Sequence, residues 1–114
     1  MSPRSKQPRT DMLKGTLDLL ILRTLELQPL HGIAIADRIH QVTNGTFSVG
    51  PGSLFPALHR LEQEGWIRGK WFVSDQGRRA RAYTLTTAGR RQLDRERQQW
   101  ALITAAVGQV LDRA

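Results

Sequence analysis

Cysteine is absent from this 114-residue chain, which excludes disulfides and thiolate metal sites. The three histidines, His31, His40 and His59, lack the i, i+4 spacing of a helical metal pair, and no carboxylate cluster accompanies them. No apolar run approaches the ~18 residues of a membrane span, and the first residues carry cations without the apolar stretch of a secretion signal. The chain therefore reads as cytoplasmic, with no membrane partner. Five serines are present, but none sits in a nucleophile-elbow context. No acid, base and nucleophile fall into a catalytic arrangement, so neither an enzyme nor a cofactor is expected.

Acidic residues are also in short supply. Seventeen Lys and Arg stand against ten Asp and Glu, for a net charge of +7. The excess is unevenly placed. Residues 1–10 carry +3, residues 11–50 and 51–65 carry −1 each, residues 66–85 carry +4 and residues 86–114 carry +2. A basic total argues only for polyanions in general; its concentration in particular segments points to a surface.

Residues 1–10, "MSPRSKQPRT", have two prolines and no large apolar residue beyond Met1, and alone they should form a disordered basic tail. Residues 11–85 form the main domain. From Met12 to Gln28 the spacing predicts a helix that is apolar around most of its girth, so it is buried on two sides. Leu17 and Ile21 are candidates for a side that meets another subunit. Pro29 ends this helix. "HGIAIADRIHQV" predicts a second helix with Ile35, Ile39 and Val42 on one face. A breaker-rich connection follows, then a third helix that buries Leu54, Leu58 and Leu61 and stops at Gly65, a C-cap glycine.

The period then changes to two. "WIRGKWFV" and "RAYTL" flank "SDQGRRA", which suits a turn, and the whole predicts a β-hairpin. Trp66 and Trp71 are expected in its core or at its base. Thr86, a good N-cap, opens a long helix over residues 86–114. There Leu93, Trp100 and Val107 step by sevens, and Ile103 and Val110 supply the second position of the seam, a stripe that favours a partner helix. The fold class is thus mainly α with a β-hairpin: a winged helix-turn-helix with a C-terminal dimerisation helix.

The third helix raises the main question. Its outward face begins with Gly52, Pro56 and His59, with Phe55 and Arg60 on the shoulders, where a surface helix normally places Lys and Glu. Either this face packs within the chain or it is kept for a partner.

Three stretches, "HGIAIADRI", "GPGSLFPALHRLEQEGWI" and "RRARAYTLTTAGRRQL", resemble in content and order the PadR family of bacterial transcription regulators, from about Met12 to Leu93. The resemblance implies a homodimeric DNA-binding repressor whose third helix enters the major groove and whose wing touches the neighbouring backbone or minor groove. Phe55 departs from the family, which usually has Tyr there, so contact at that point is apolar. The single C-terminal helix matches the family's short branch.

With that partner in view, the residues take roles. A helix N-terminus welcomes phosphate; Gly52 allows close approach and Ser53 is a small donor. Phe55 and Pro56 can pack on sugars or a thymine methyl, and His59 and Arg60 can reach a base edge or a phosphate. Glu62 and Glu64 would repel DNA, so the N-terminal half of the helix should face the duplex. Lys70, Arg78, Arg79 and Arg81 suit phosphate or narrow minor-groove contact from the wing. Phe55 folded back on the wing, and the wing as a merely solvated loop, are the alternatives. Trp100 either packs a dimer interface or lines a gap for a small aromatic effector, as an aromatic residue does in some relatives. The expected partners are an operator duplex, a second copy of the chain and such an effector. A winged helix that docks on protein, or a non-specific nucleic-acid binder, are the rival readings.

Overall fold

The computed structural model describes residues 6–113, with side chains from residue 15 onward. Helix α1 (Lys6–Leu27) leads through strand β1 (Leu30–His31) to helices α2 (Gly32–Val42) and α3 (Pro51–Gln63); strands β2 (Ile67–Val73) and β3 (Arg79–Leu85) and helix α4 (Thr87–Arg113) complete the chain. This is the expected mainly helical winged helix-turn-helix with a long last helix. Two features differ from expectation. Helix α1 starts at Lys6, inside the stretch read as a tail, because Pro8 falls in the first turn, where an amide has no intrahelical acceptor to lose. Residues 1–5 lie outside the described ones. Strand β1 is new. Leu30 pairs with Tyr83 and His31 with Ala82, giving a three-stranded antiparallel sheet ordered β1-β3-β2.

Helix α1 is central. Leu17, Ile21, Leu22 and Leu25 are all buried, among Ile35 and Ile39 of α2, Leu54, Leu58 and Leu61 of α3, Ile67, Tyr83 and Leu93. Burying each large aliphatic side chain contributes about 1.5–3 kcal/mol. The two-sided burial of α1 is therefore real, but α2, α3, β3 and α4 of this same chain supply it. Leu17 and Ile21 are corrected accordingly: at 4% and 0% exposure they have no surface left for a second subunit.

Helix α3 ends as its glycine required. Gly65 has φ +80°, the Trp66 amide reaches back to the Leu61 carbonyl (3.1 Å) and the Gly65 amide to that of Glu62 (3.0 Å), a Schellman close. Thr86 joins this cap to the next helix. Its hydroxyl donates to the Gly65 carbonyl (2.6 Å) and accepts the Gly89 amide (3.0 Å), so one side chain caps α4 and pins it to the end of α3.

The first turns of α4 belong to the core. Leu93 is fully buried, which corrects its assignment to a dimer seam: it is the last buried residue of α4. Beyond it α4 lies along α1, held by Glu26, which accepts from Arg23 (2.5 Å) and from Arg97 (2.8 Å). The Arg23 hydrogen bond, with Arg97 behind it, holds the Glu26 carboxyl below its ordinary pKa against partial burial. The radius of gyration is 15.8 Å, against about 13 Å for a compact chain of this length, which reflects the two long helices.

Gly89 makes the closest packing in the fold. A methyl group there would lie 2.0 Å from the Trp66 carbonyl oxygen and 2.7 Å from Leu85. Helix propensity alone would make Gly89→Ala stabilising by about 1 kcal/mol. The contact reverses the sign. We expect Gly89→Ala to destabilise by about 1–3 kcal/mol, as overpacking does, measured by urea denaturation; a rise in the midpoint would show that α4 is not seated on Trp66 and Leu85.

Candidate nucleic-acid interface

Helix α3 begins with Gly50 as N-cap and Pro51 at the first position, with no side-chain cap. The buried face is Leu54, Ala57, Leu58 and Leu61, and the opposite face is left to Gly52, Phe55, Pro56 and His59, all exposed, with Ser53 half-buried. Pro56 stands inside the helix, where its missing amide cannot bond the Gly52 carbonyl one turn back. That carbonyl therefore lacks its usual intrahelical donor. Phe55 answers the packing question in a mixed way. Its ring rests on Gly32 at the start of α2, where a methyl would come within 3.0 Å, yet the residue stays 43% exposed. Gly32 seats the ring and the remaining surface looks outward.

Between α3 and the wing lies a groove of about 530 Å³ lined by Phe55, His59, Glu62, Gln63, Arg81 and Tyr83. Of the wing, Arg81 and Tyr83 border it, and the strand register shows which residues share their face. Trp71 pairs with Arg81, Gly69 with Tyr83 and Val73 with Arg79, so these side chains share the face that continues the buried Ile67 and Tyr83. Lys70 and Phe72, paired with Ala82 and Ala80, lie on the other face. Lys70, expected beside the arginines, is thus on the side of the hairpin turned away from α3. Arg78 is exposed at the tip, in a turn closed by the Ser74 amide on the Arg78 carbonyl (2.8 Å) with Gly77 at φ +76°.

Two of the cations expected to contact DNA are engaged within the chain. Arg60 forms an ion pair with Asp18 of α1, tying the third helix to the first. Arg81 pairs with Glu62 (2.5 Å), and the same carboxylate accepts the amide of Gly69 (3.1 Å). The Glu62 hydrogen bond holds the Arg81 guanidinium above its ordinary pKa, and burial raises that of the Tyr83 phenol beside it. Gly69 is what lets Arg81 cross the strand: a methyl there would stand 2.2 Å from Arg81 Nε. Glu62, read from sequence only as a charge that DNA would repel, is the latch between α3 and the wing. The signal was available in "RGK", a glycine in mid-strand marking close approach. Trp71, expected in the wing core or at its base, is 53% exposed, with the Arg79 guanidinium 4.6 Å from its ring centroid.

On α4, Trp100, Ile103, Val107 and Val110 are all exposed, from 47% to 62%. Trp100 and Ile103 also line a second groove, about 450 Å³, against Gly15, Thr16, Asp18 and Leu19 of α1. Among the described residues no three His, Asp or Glu converge as metal ligands, and no helix is long and apolar enough to cross a membrane.

A helix-turn-helix with a wing bordering its third helix defines a class of nucleic-acid-binding modules. Comparison with known proteins narrows it. The model of the Transcriptional regulator PadR-like family matches residues 21–95. The transcriptional regulator Rv3488 of Mycobacterium tuberculosis is 44% identical over 84 residues, which cover 74% of this chain and 75% of that protein. An uncharacterised 37.1 kDa protein in transposon Tn4556 of Streptomyces fradiae is 40% identical over 96 residues; the match spans 84% of this chain but only 26% of that protein. Among solved structures, a PadR family regulator from Clostridium difficile superposes with a TM-score of 0.72 at 29% identity, covering 82% of this chain and 96% of that one. One from Eggerthella lenta, at 24% identity, shares the fold with a TM-score of 0.82 over 96% of this chain and 94% of that one. The chain belongs to the PadR-like family of transcriptional regulators, a family of DNA-binding regulators and not of enzymes.

If the Glu62–Arg81–Gly69 cluster sets the angle of the wing, its members act as one unit. Arg81→Ala and Gly69→Ala should each weaken DNA binding, and the double variant should bind no worse than the poorer single one. Titration by anisotropy of a labelled duplex checks this; losses that add would mean that Arg81 contacts DNA independently of the latch.

Proposed function

We propose that this chain is a homodimeric repressor that binds an inverted-repeat operator in the cytoplasm and is released by a small effector. The observation that carries the DNA contact is that the exposed N-terminal face of α3 and the wing strand β3 line one groove, through Phe55 and His59 on one side and Arg81 and Tyr83 on the other, with Arg78 and Arg79 exposed farther along the same hairpin. Gly52, Ser53, Phe55, Pro56 and His59 read or approach the major groove, and Arg78 and Arg79 hold the flanking backbone. Arg60 and Arg81 position these elements instead of touching DNA. Repression is carried over from the resemblance to the family.

The dimer reading rests on α4. Its exposed apolar stripe of Trp100, Ile103, Val107 and Val110 continues the heptad spacing past the core, and a self-complementary helix face suits a two-fold partner. The groove beside Trp100 is the candidate effector site, where a planar aromatic molecule would stack offset on the indole. To regulate, such a molecule must bind the free dimer better than the DNA-bound one.

Selection of bound duplexes from a random pool at physiological salt tests the whole reading. The expected outcome is an inverted repeat with half-sites about 34–36 Å apart, or a multiple. Recovery without any sequence preference would favour the non-specific binder, and no recovery would favour protein docking. Arg78→Ala should lower affinity for all sequences alike and reduce the salt slope by about 0.9; an unchanged slope would remove the wing tip from the interface. Val107→Glu would place a charge in the seam, which burial penalises by several kcal/mol unless it is paired. We expect monomers in sedimentation and a steep loss of operator affinity, since two linked half-sites gain from effective concentration. A Val107→Glu protein that stays dimeric would place the interface elsewhere.

A further inference from the structure

The wing carries an aromatic side chain that nothing in the fold explains. Trp71 is 53% exposed although its face of the hairpin leads directly into the core through Gly69 and the buried Ile67. It pairs across the hairpin with Arg81, which lines the groove beside α3. The Arg79 guanidinium lies 4.6 Å from the ring centroid and that of Arg81 5.3 Å away. Arg81 is spent on Glu62. Arg79 forms no ion pair among the described residues, so its positive charge is held by the indole alone. A guanidinium stacked on an aromatic face keeps its in-plane N–H donors pointing outward, and Val73, 69% exposed, extends the apolar surface toward the tip.

We propose that Trp71 is a DNA-contact side chain, its indole packing on the deoxyribose edge of the groove beside the wing and aiming Arg79 at the adjoining phosphate. The proposal rests on the reading of α3 and the wing as the DNA interface and names a further part of it. Three observations select a duplex as the occupant. The indole adjoins Arg81, which lines the groove shared with Phe55 and His59 of α3. The residues around the indole are cationic and the segment from 66 to 85 carries +4, which complements a polyanion. A flat apolar ring flanked by an unpaired guanidinium matches the alternation of sugar and phosphate along a strand. Lys70 and Phe72, on the opposite face, are outside this contact.

The test uses the full chain labelled with fluorotryptophan, with the Trp71 resonance assigned from Trp71→Phe. Fluorine NMR spectra are recorded with and without the duplex recovered by selection, and binding is followed separately by anisotropy of a dye on that duplex. We expect the Trp71 resonance to shift on binding while that of Trp66, packed against the core, stays in place. Trp71→Ala should reduce affinity about tenfold, Trp71→Phe should recover most of the loss, and Arg79→Ala should cost little once Trp71 is gone. If the duplex binds, the Trp71 resonance is unmoved and Trp71→Ala binds as tightly as the parent chain, the indole is packing of the hairpin alone; the proposal fails and the interface reading stands. If the unmodified chain binds no duplex, the interface reading falls and the proposal with it.

Discussion

A single carboxylate sets the geometry of the candidate interface. Glu62, in the last turn of α3, accepts both the Gly69 amide and the Arg81 guanidinium. Strand β2 is one edge of the sheet, and an edge amide left open is a template for unwanted pairing. Glu62 closes that edge and fixes how far the wing stands from the helix. The groove between them, and every side chain that borders it, depends on this spacing. Its other wall is held similarly, with Phe55 seated on Gly32 and Arg60 paired to Asp18.

This division of labour changes what the net charge means. A guanidinium already paired to a carboxylate displaces few counterions when DNA arrives, so it adds little to a salt-dependent affinity. Arg60 and Arg81 use their charge inside the molecule, although Arg81 lies in the segment that carries +4. Arg78 and Arg79 remain exposed on the wing. The electrostatic surface is smaller than the sum of its arginines and more sharply placed.

Much of the architecture was legible in the chain. The change of period from 3.6 to two marked the hairpin, and Gly65 and Thr86 marked the ends of the helices that flank it, because turns and caps depend on local chemistry. Strand β1 was not legible, since two residues carry no period and Leu30 and His31 are extended only because β3 offers a free edge. The partners of side chains were hidden for the same reason. Asp18 and Arg60 lie 42 residues apart and Glu62 and Arg81 lie 19 apart, distances over which a single sequence carries no pairing signal. Leu93 shared its spacing with Trp100 and Val107, yet the first is buried and the others are exposed. Periodicity gives the face of a helix and says nothing of what lies opposite.

The continuity of α4 has a mechanical consequence. One uninterrupted helix, Thr87–Arg113, is cast into the core at Gly89 and Leu93 and carries its exposed stripe from Trp100 onward, so it works as a phased shaft. Between Leu93 and Val107 the shaft advances about 21 Å at 1.5 Å per residue. Adding one residue between them would lengthen it by only about 1.5 Å but would turn the stripe by about 100°, presenting a different face to whatever sits on it. Angular phase, far more than reach, is therefore the quantity that residues 94–99 keep constant, and nothing in their own side chains needs to be apolar for them to do so.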